Sequence, residues 1–102
     1  MSLQEINEAK CEQLSQVDIG KAAILFSTPL CGTCKVAERM LEVVQATSVS
    51  YPIYKININF APRFREQWQI SSIPCLVVLH NRKVESQTYA MQSVDHIYKL
   101  LR

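Results

Sequence analysis

Apolar residues recur along the chain in two periods, and the change from one to the other predicts the elements. Over residues 3–17, Leu3, Ile6, Leu14 and Val17 fall on one helical face with Lys10 bridging the gap, which predicts an amphipathic helix. Gly20 ends it. Residues 22–26 form a short apolar run of the kind expected for a strand covered on both faces, and Ser27, Thr28, Pro29 and Leu30 break it. From Cys31 onward Val36, Met40, Val43 and Val44 recur at helical spacing, with Lys35, Glu38, Arg39 and Glu42 read as the solvated face. Ile53, Tyr54, Ile56 and Ile58 mark a second strand, and Pro62 suits the first turn of a short helix carrying Phe64 and Trp68. Phe60, Phe64 and Trp68, spaced by four, read as core.

A third apolar strand over residues 73–79 opens near Pro74. It leads through His80, Asn81, Arg82 and Lys83 into a partner strand over residues 84–89, with Asn81 supplying the left-handed conformation that a turn without glycine requires. Ser93 is a suitable N-cap, followed by Asp95, for a closing helix with Val94, Ile97, Tyr98 and Leu101 on one side. Parallel strands joined through helices, then a hairpin and a last helix, predict an α/β fold: a mixed central sheet with helices on both faces. At 102 residues without repeats or a linker, residues 1–102 are expected to form one domain.

Composition narrows the partners. A net charge of +2, with Lys and Arg scattered, is too weak a field for phosphate neutralisation, so no nucleic-acid partner is expected. No apolar run approaches the roughly 20 residues that span a bilayer, and Met1-Ser2-Leu3-Gln4-Glu5 does not resemble a secretory signal. The expectation is a cytoplasmic monomer without a membrane partner.

The candidate chemistry lies in the cysteines. Of four, Cys31 and Cys34 stand three residues apart, a loop too small to stabilise a fold by closure. The same spacing puts both on one face of a helix, close enough to bridge. Disulfide exchange needs a thiolate, and a helix N-terminus favours one through unpaired N–H groups and its dipole. Cys31 is therefore the expected nucleophile and Cys34, one turn further in, the resolving thiol. Gly32 would let a substrate backbone approach. A zinc site is the competing reading of the spacing, but structural zinc takes four ligands, and His80 and His96, read as surface residues, are isolated, as are Cys11 and Cys75. Cys11 reads as inert packing. Cys75 reads as a small buried residue, with exchange with the pair, or help in binding a soft ligand, as a sharper possibility.

Phe26 with the Cys-Gly-Thr-Cys-Lys string at 31–35, Lys55-Ile56-Asn57-Ile58-Asn59 before Pro62, and Ile70-Ser71-Ser72-Ile73-Pro74 together resemble the thioredoxin family. The resemblance covers residue 22 to the C-terminus. It implies a thioredoxin-like fold and an enzyme that reduces disulfides in proteins or small thiols through a mixed disulfide. A reductase or low-molecular-weight thiol would donate the electrons, and no bound cofactor is expected. By the same resemblance Pro74 is cis and lies against the cysteines, and Ile73 offers its backbone to a bound peptide; with Gly32 and Thr33 these residues form the expected substrate contacts. Three departures stand out: Leu30 replaces the tryptophan before the first cysteine, Leu25 the buried aspartate thought to accept the second cysteine's proton, and Thr33 the usual proline. Thr33 restores an N–H and adds a hydroxyl, which should stabilise the Cys31 thiolate and make the disulfide more oxidising. The missing aspartate and tryptophan also suit an alternative, a non-catalytic adaptor or a cysteine-based metal carrier.

Overall fold

The computed structural model describes residues 2–18, 20–47 and 51–101. In chain order the elements are β1 (Gln4–Glu5), α1 (Glu8–Gln16), β2 (Lys21–Ser27), α2 (Gly32–Thr47), β3 (Ile53–Asn57), a 3-10 turn (Ile58–Phe60), α3 (Pro62–Gln67), β4 (Cys75–His80), β5 (Lys83–Thr88) and α4 (Val94–Leu101). The five strands form one sheet in the order β1-β3-β2-β4-β5. β3 runs parallel to β1 and β2, whereas β4 is antiparallel to both β2 and β5.

Alternation along the buried strands divides the core in two. Ile24, Phe26, Ile56, Cys75 and Val77 face one way, toward Cys11 and Leu14 of α1 and Phe64 of α3. Ala23, Leu25, Ile53, Leu76 and Val78 face the other, toward Ala37, Leu41 and Val44 of α2 and Ile97 and Leu101 of α4. Both faces of β2 and β4 are thus covered, which is why their sequences are apolar runs without alternation.

The N-terminal segment departs from the single helix expected there. Leu3 and Ile6 are buried, but they flank β1, which pairs with β3 through Gln4 with Tyr54 and Glu5 with Lys55. The helix starts only after Asn7, whose side chain accepts the Lys10 N–H at 2.9 Å, and Val17 lies beyond its end, half-exposed. The otherwise open edge of β3 captures the first residues, a non-local pairing that local periodicity cannot reveal.

In α2 the buried face is Cys34, Ala37, Leu41 and Val44, so that of the predicted stripe only Val44 is fully buried. Val36 and Val43 are about half exposed and Met40 is partly buried. The helix has apolar residues on two adjacent faces, and the one carrying the small Ala37 packs on the sheet. Phe60 is a further correction: it is 74% exposed, while Phe64 is buried and Trp68 partly so. The hairpin turn takes its left-handed residues from both Asn81 (φ 48°) and Arg82 (φ 74°), the pattern of a two-residue primed turn. Gly20 (φ 78°) and Asn81 exchange hydrogen bonds that tie this turn to the start of β2. At the far end, Ser93 caps α4 by accepting the His96 N–H at 3.1 Å. His96, expected at the surface, is half-buried, with Nδ1 enclosed and no hydrogen-bond partner among the described residues.

Candidate active site

Cys31 stands where β2 has ended and α2 is about to begin. Ser27 closes the strand, and the Cys31 N–H donates to the Thr28 carbonyl at 3.3 Å, turning the chain into the helix. The Lys35 N–H then donates to the Cys31 carbonyl at 3.2 Å, the first helical bond. Cys31 and Cys34 are joined in a disulfide with their Cα atoms 5.1 Å apart. Cys31 is partly exposed; Cys34 is buried.

The surroundings of Cys31 Sγ favour negative charge. The Cys34 N–H donates to it at 3.1 Å, and the Thr33 hydroxyl lies 3.3 Å away. α2 is 16 residues long and has no acidic residue in its first turn, so its positive dipole end acts on this sulfur unopposed from within the turn. Hydrogen bonds to a thiolate are charge-assisted and stronger than those to a thiol.

Two clefts flank the pair. On the Thr33 side an opening of about 310 Å³ is bounded by Val36, Pro74, Tyr89 and Met91 and is mainly apolar. The Ile73–Pro74 peptide bond is cis, both residues are partly buried, and Pro74 shares this opening with Thr33. On the Cys34 side a more polar cavity of about 430 Å³ contains Ser27, Glu38 and Lys55. Glu38 is not on the solvated face expected for it: Lys55 Nζ lies 3.0 Å from its carboxylate, and both side chains are about three-quarters buried. The available signal was spacing, since Glu38 follows Cys34 by four residues and so shares its face. Leu30 is fully exposed beside Cys31, and a Cβ on Gly32 would meet no atom within 4 Å, so the surface around the outer sulfur is open.

A family model for thioredoxin matches residues 3–102. The chain belongs to the thioredoxin family. Thioredoxin-like protein YusE of Bacillus subtilis is 31% identical over 97 residues, covering 95% of this chain and 92% of that protein. The thioredoxin of Chlamydia trachomatis is 32% identical over 82 residues, 80% of each chain. Among solved structures, a mutant thioredoxin from Halobacterium salinarum superposes with a TM-score of 0.83 over 98% of this chain and 88% of that one, at 16% identity, which bears out the mixed α/β fold. Membership in the thioredoxin family, together with the close Cys31–Cys34 pair, makes the chain a thiol–disulfide oxidoreductase. The adaptor and metal-carrier alternatives are not favoured. No described helix is long and apolar enough to cross a membrane.

The other two cysteines are placed differently from the thioredoxin pair. Both are free and fully buried. Burial pushes the Cys11 thiol up to about 12; Glu8 adds to the rise and Arg63 opposes it. Cys75 is pushed up to about 11, again by burial, against a hydrogen bond from Tyr89 that lowers it. Neither forms a thiolate readily near neutrality. Because each holds its proton more tightly when folded than the ordinary value of 9.0, the folded state binds more protons above pH 9. The stabilisation is complete below about pH 9 and is lost as pH rises toward 11 for Cys75 and 12 for Cys11, at up to about 1.4 kcal/mol per pH unit for each thiol. Urea midpoints taken at pH 8 and pH 10 should therefore fall, and fall less in Cys11→Ala; equal falls would exclude a contribution from Cys11.

Proposed function

We propose that this thioredoxin-family chain works chiefly as a reductant of protein or small-molecule disulfides. Cys31 attacks a substrate disulfide to give a mixed disulfide, and Cys34 attacks Cys31 Sγ to release the reduced substrate. Two electrons pass from the dithiol to the substrate, and the Cys31–Cys34 disulfide remains. The observation that carries this order of attack is the asymmetry of the pair: Cys31 is partly exposed and receives the Cys34 N–H at 3.1 Å, whereas Cys34 is 2% exposed.

The substrate lies across the apolar opening. Gly32 and Thr33 border its approach, Pro74 forms part of its wall, and the backbone of Ile73 is available to pair with an extended peptide. Exposed Leu30 and Val36 add apolar contact. A reductase or a low-molecular-weight thiol returns the electrons. The reading takes residues 1–102 as one domain, monomeric and cytoplasmic.

Insulin reduction driven by dithiothreitol tests it. Wild type should accelerate precipitation of the insulin B chain, and Cys31→Ser should reduce the rate to that of dithiothreitol alone; equal rates for the two proteins would overturn the assignment.

Thr33 tunes the same pair. Its hydroxyl at 3.3 Å from Cys31 Sγ strengthens as a hydrogen bond once the sulfur is anionic, so it stabilises the reduced form. Counting a partly solvated bond at about 1 kcal/mol, Thr33→Pro should lower the reduction potential by roughly 20 mV. Equilibration with glutathione measures this; an unchanged or higher potential in the variant would refute it.

A further inference from the structure

Cys34 must lose a proton before it can attack, yet its surroundings lack the carboxylate that the strand could have supplied. β2 carries Leu25 there, fully buried and facing α2 among Ala37 and Leu41. In the sheet Leu25 is the register partner of Lys55. Lys55 lies on the α2 side of β3, alternating with Ile56 on the other face, and its ammonium reaches across to Glu38 of α2 at 3.0 Å. The carboxylate beside Lys55 is thus supplied by the helix one turn beyond Cys34, not by the strand.

We propose that Glu38, held in place by Lys55, accepts the Cys34 proton through water in the adjoining cavity. This rests on the reading that Cys34 resolves the mixed disulfide. Three observations converge on it. Cys34 and Glu38 are separated by four residues on one helix, so their side chains share a face. Both line the same cavity, whose volume of about 430 Å³ has ample room for bridging water. The ion pair with Lys55 restricts the Glu38 carboxylate to that cavity. The remaining charged groups facing this space are Glu5 from β1 and Lys35 from α2, both exposed, and the hydroxyl of Ser27 from β2 adds a neutral partner for water.

The step balances. A lone pair on Cys34 sulfur forms the bond to Cys31 Sγ while the bond between Cys31 Sγ and the substrate sulfur breaks, its electron pair leaving with the substrate thiolate. The Cys34 proton passes through water to Glu38 and from there to solvent, where the departing thiolate is protonated according to its own acidity. When the disulfide is reduced again, the same carboxyl returns a proton to Cys34.

Ellman's reagent separates the two attacks, because reduced protein releases one thionitrobenzoate when Cys31 is modified and a second when Cys34 resolves the adduct. Glu38→Gln keeps the side-chain shape and removes the acceptor. At pH 7 its first phase should match wild type and its second should slow by about tenfold, the deficit shrinking as pH rises and hydroxide takes the proton directly. Glu38→Asp retains an acid and should stay within about threefold of wild type. An unchanged second phase in Glu38→Gln, a slowing that is the same at every pH, or a Glu38→Asp rate as low as that of Gln would overturn the proposal. Failure of the underlying reading looks different: wild type itself would then release no second thionitrobenzoate.

Discussion

Cys34→Ser is expected to stop at one equivalent of substrate, held covalently on Cys31. The serine hydroxyl occupies nearly the same space as the thiol but cannot cleave a disulfide, so the mixed disulfide persists until an outside thiol reaches it. In the wild type the competing attack is intramolecular, from a sulfur one helical turn away, and well-oriented reactions of this kind have effective molarities on the order of 10⁵ M or more. Millimolar external thiol cannot match that. With a disulfide-bonded peptide and no added thiol, mass spectrometry of the Cys34→Ser protein should find one adduct, on the fragment containing Cys31. Cys31→Ser should yield none, since the three remaining thiols, Cys11, Cys34 and Cys75, are all buried, and those of Cys11 and Cys75 have their pKa values pushed up. An adduct on Cys75, or none at all, would contradict the assigned roles.

The largest expected effect on stability is at Phe26. Its ring is fully buried next to the sheet and meets Trp68 edge-on, with centroids 5.9 Å apart and planes at 78°. Trp68 in turn contacts Phe64 of α3, with ring centroids 4.7 Å apart, so Phe26 connects the central strand to the helix covering that face. Its strand neighbours are Ile56 in β3 and Cys75 in β4, and neither can extend to fill the space that a truncated ring would leave. Phe26→Ala should cost about 3 to 5 kcal/mol, a large part of the roughly 5 to 15 kcal/mol typical of a folded domain. The urea midpoint should fall with little change in slope. A loss under about 1 kcal/mol would mean that the core collapses around the gap.

How much of this was legible in advance differs between elements for identifiable reasons. Residues 22–26 and 75–79 are apolar on both faces, a composition that only a central strand covered on both sides accommodates. Cys31 and Cys34 were legible because their chemistry depends on local spacing and a helix start, both written in consecutive residues. The pairing of residues 4 and 5 with β3 was hidden, because it depends on an edge formed some 50 residues later. The orientation of α2 was hidden as well: Val36, Met40 and Val43 make as good an apolar stripe as Ala37, Leu41 and Val44, and only contact with the sheet selects between them.

Taken alone, the sequence determined the order of strands and helices from α1 onward, the mixed α/β architecture and the redox pair, since periodicity, turn residues and cysteine spacing are properties of neighbours along the chain. The tertiary structure decided the rest. It rotated α2 so that Glu38 turns away from solvent toward Lys55, and it placed their ion pair in the cavity that Cys34 also lines. It left Cys75 a free thiol, buried as its sequence reading expected. These outcomes follow from which faces meet when sheet and helices pack, and such meetings join residues that share no local pattern.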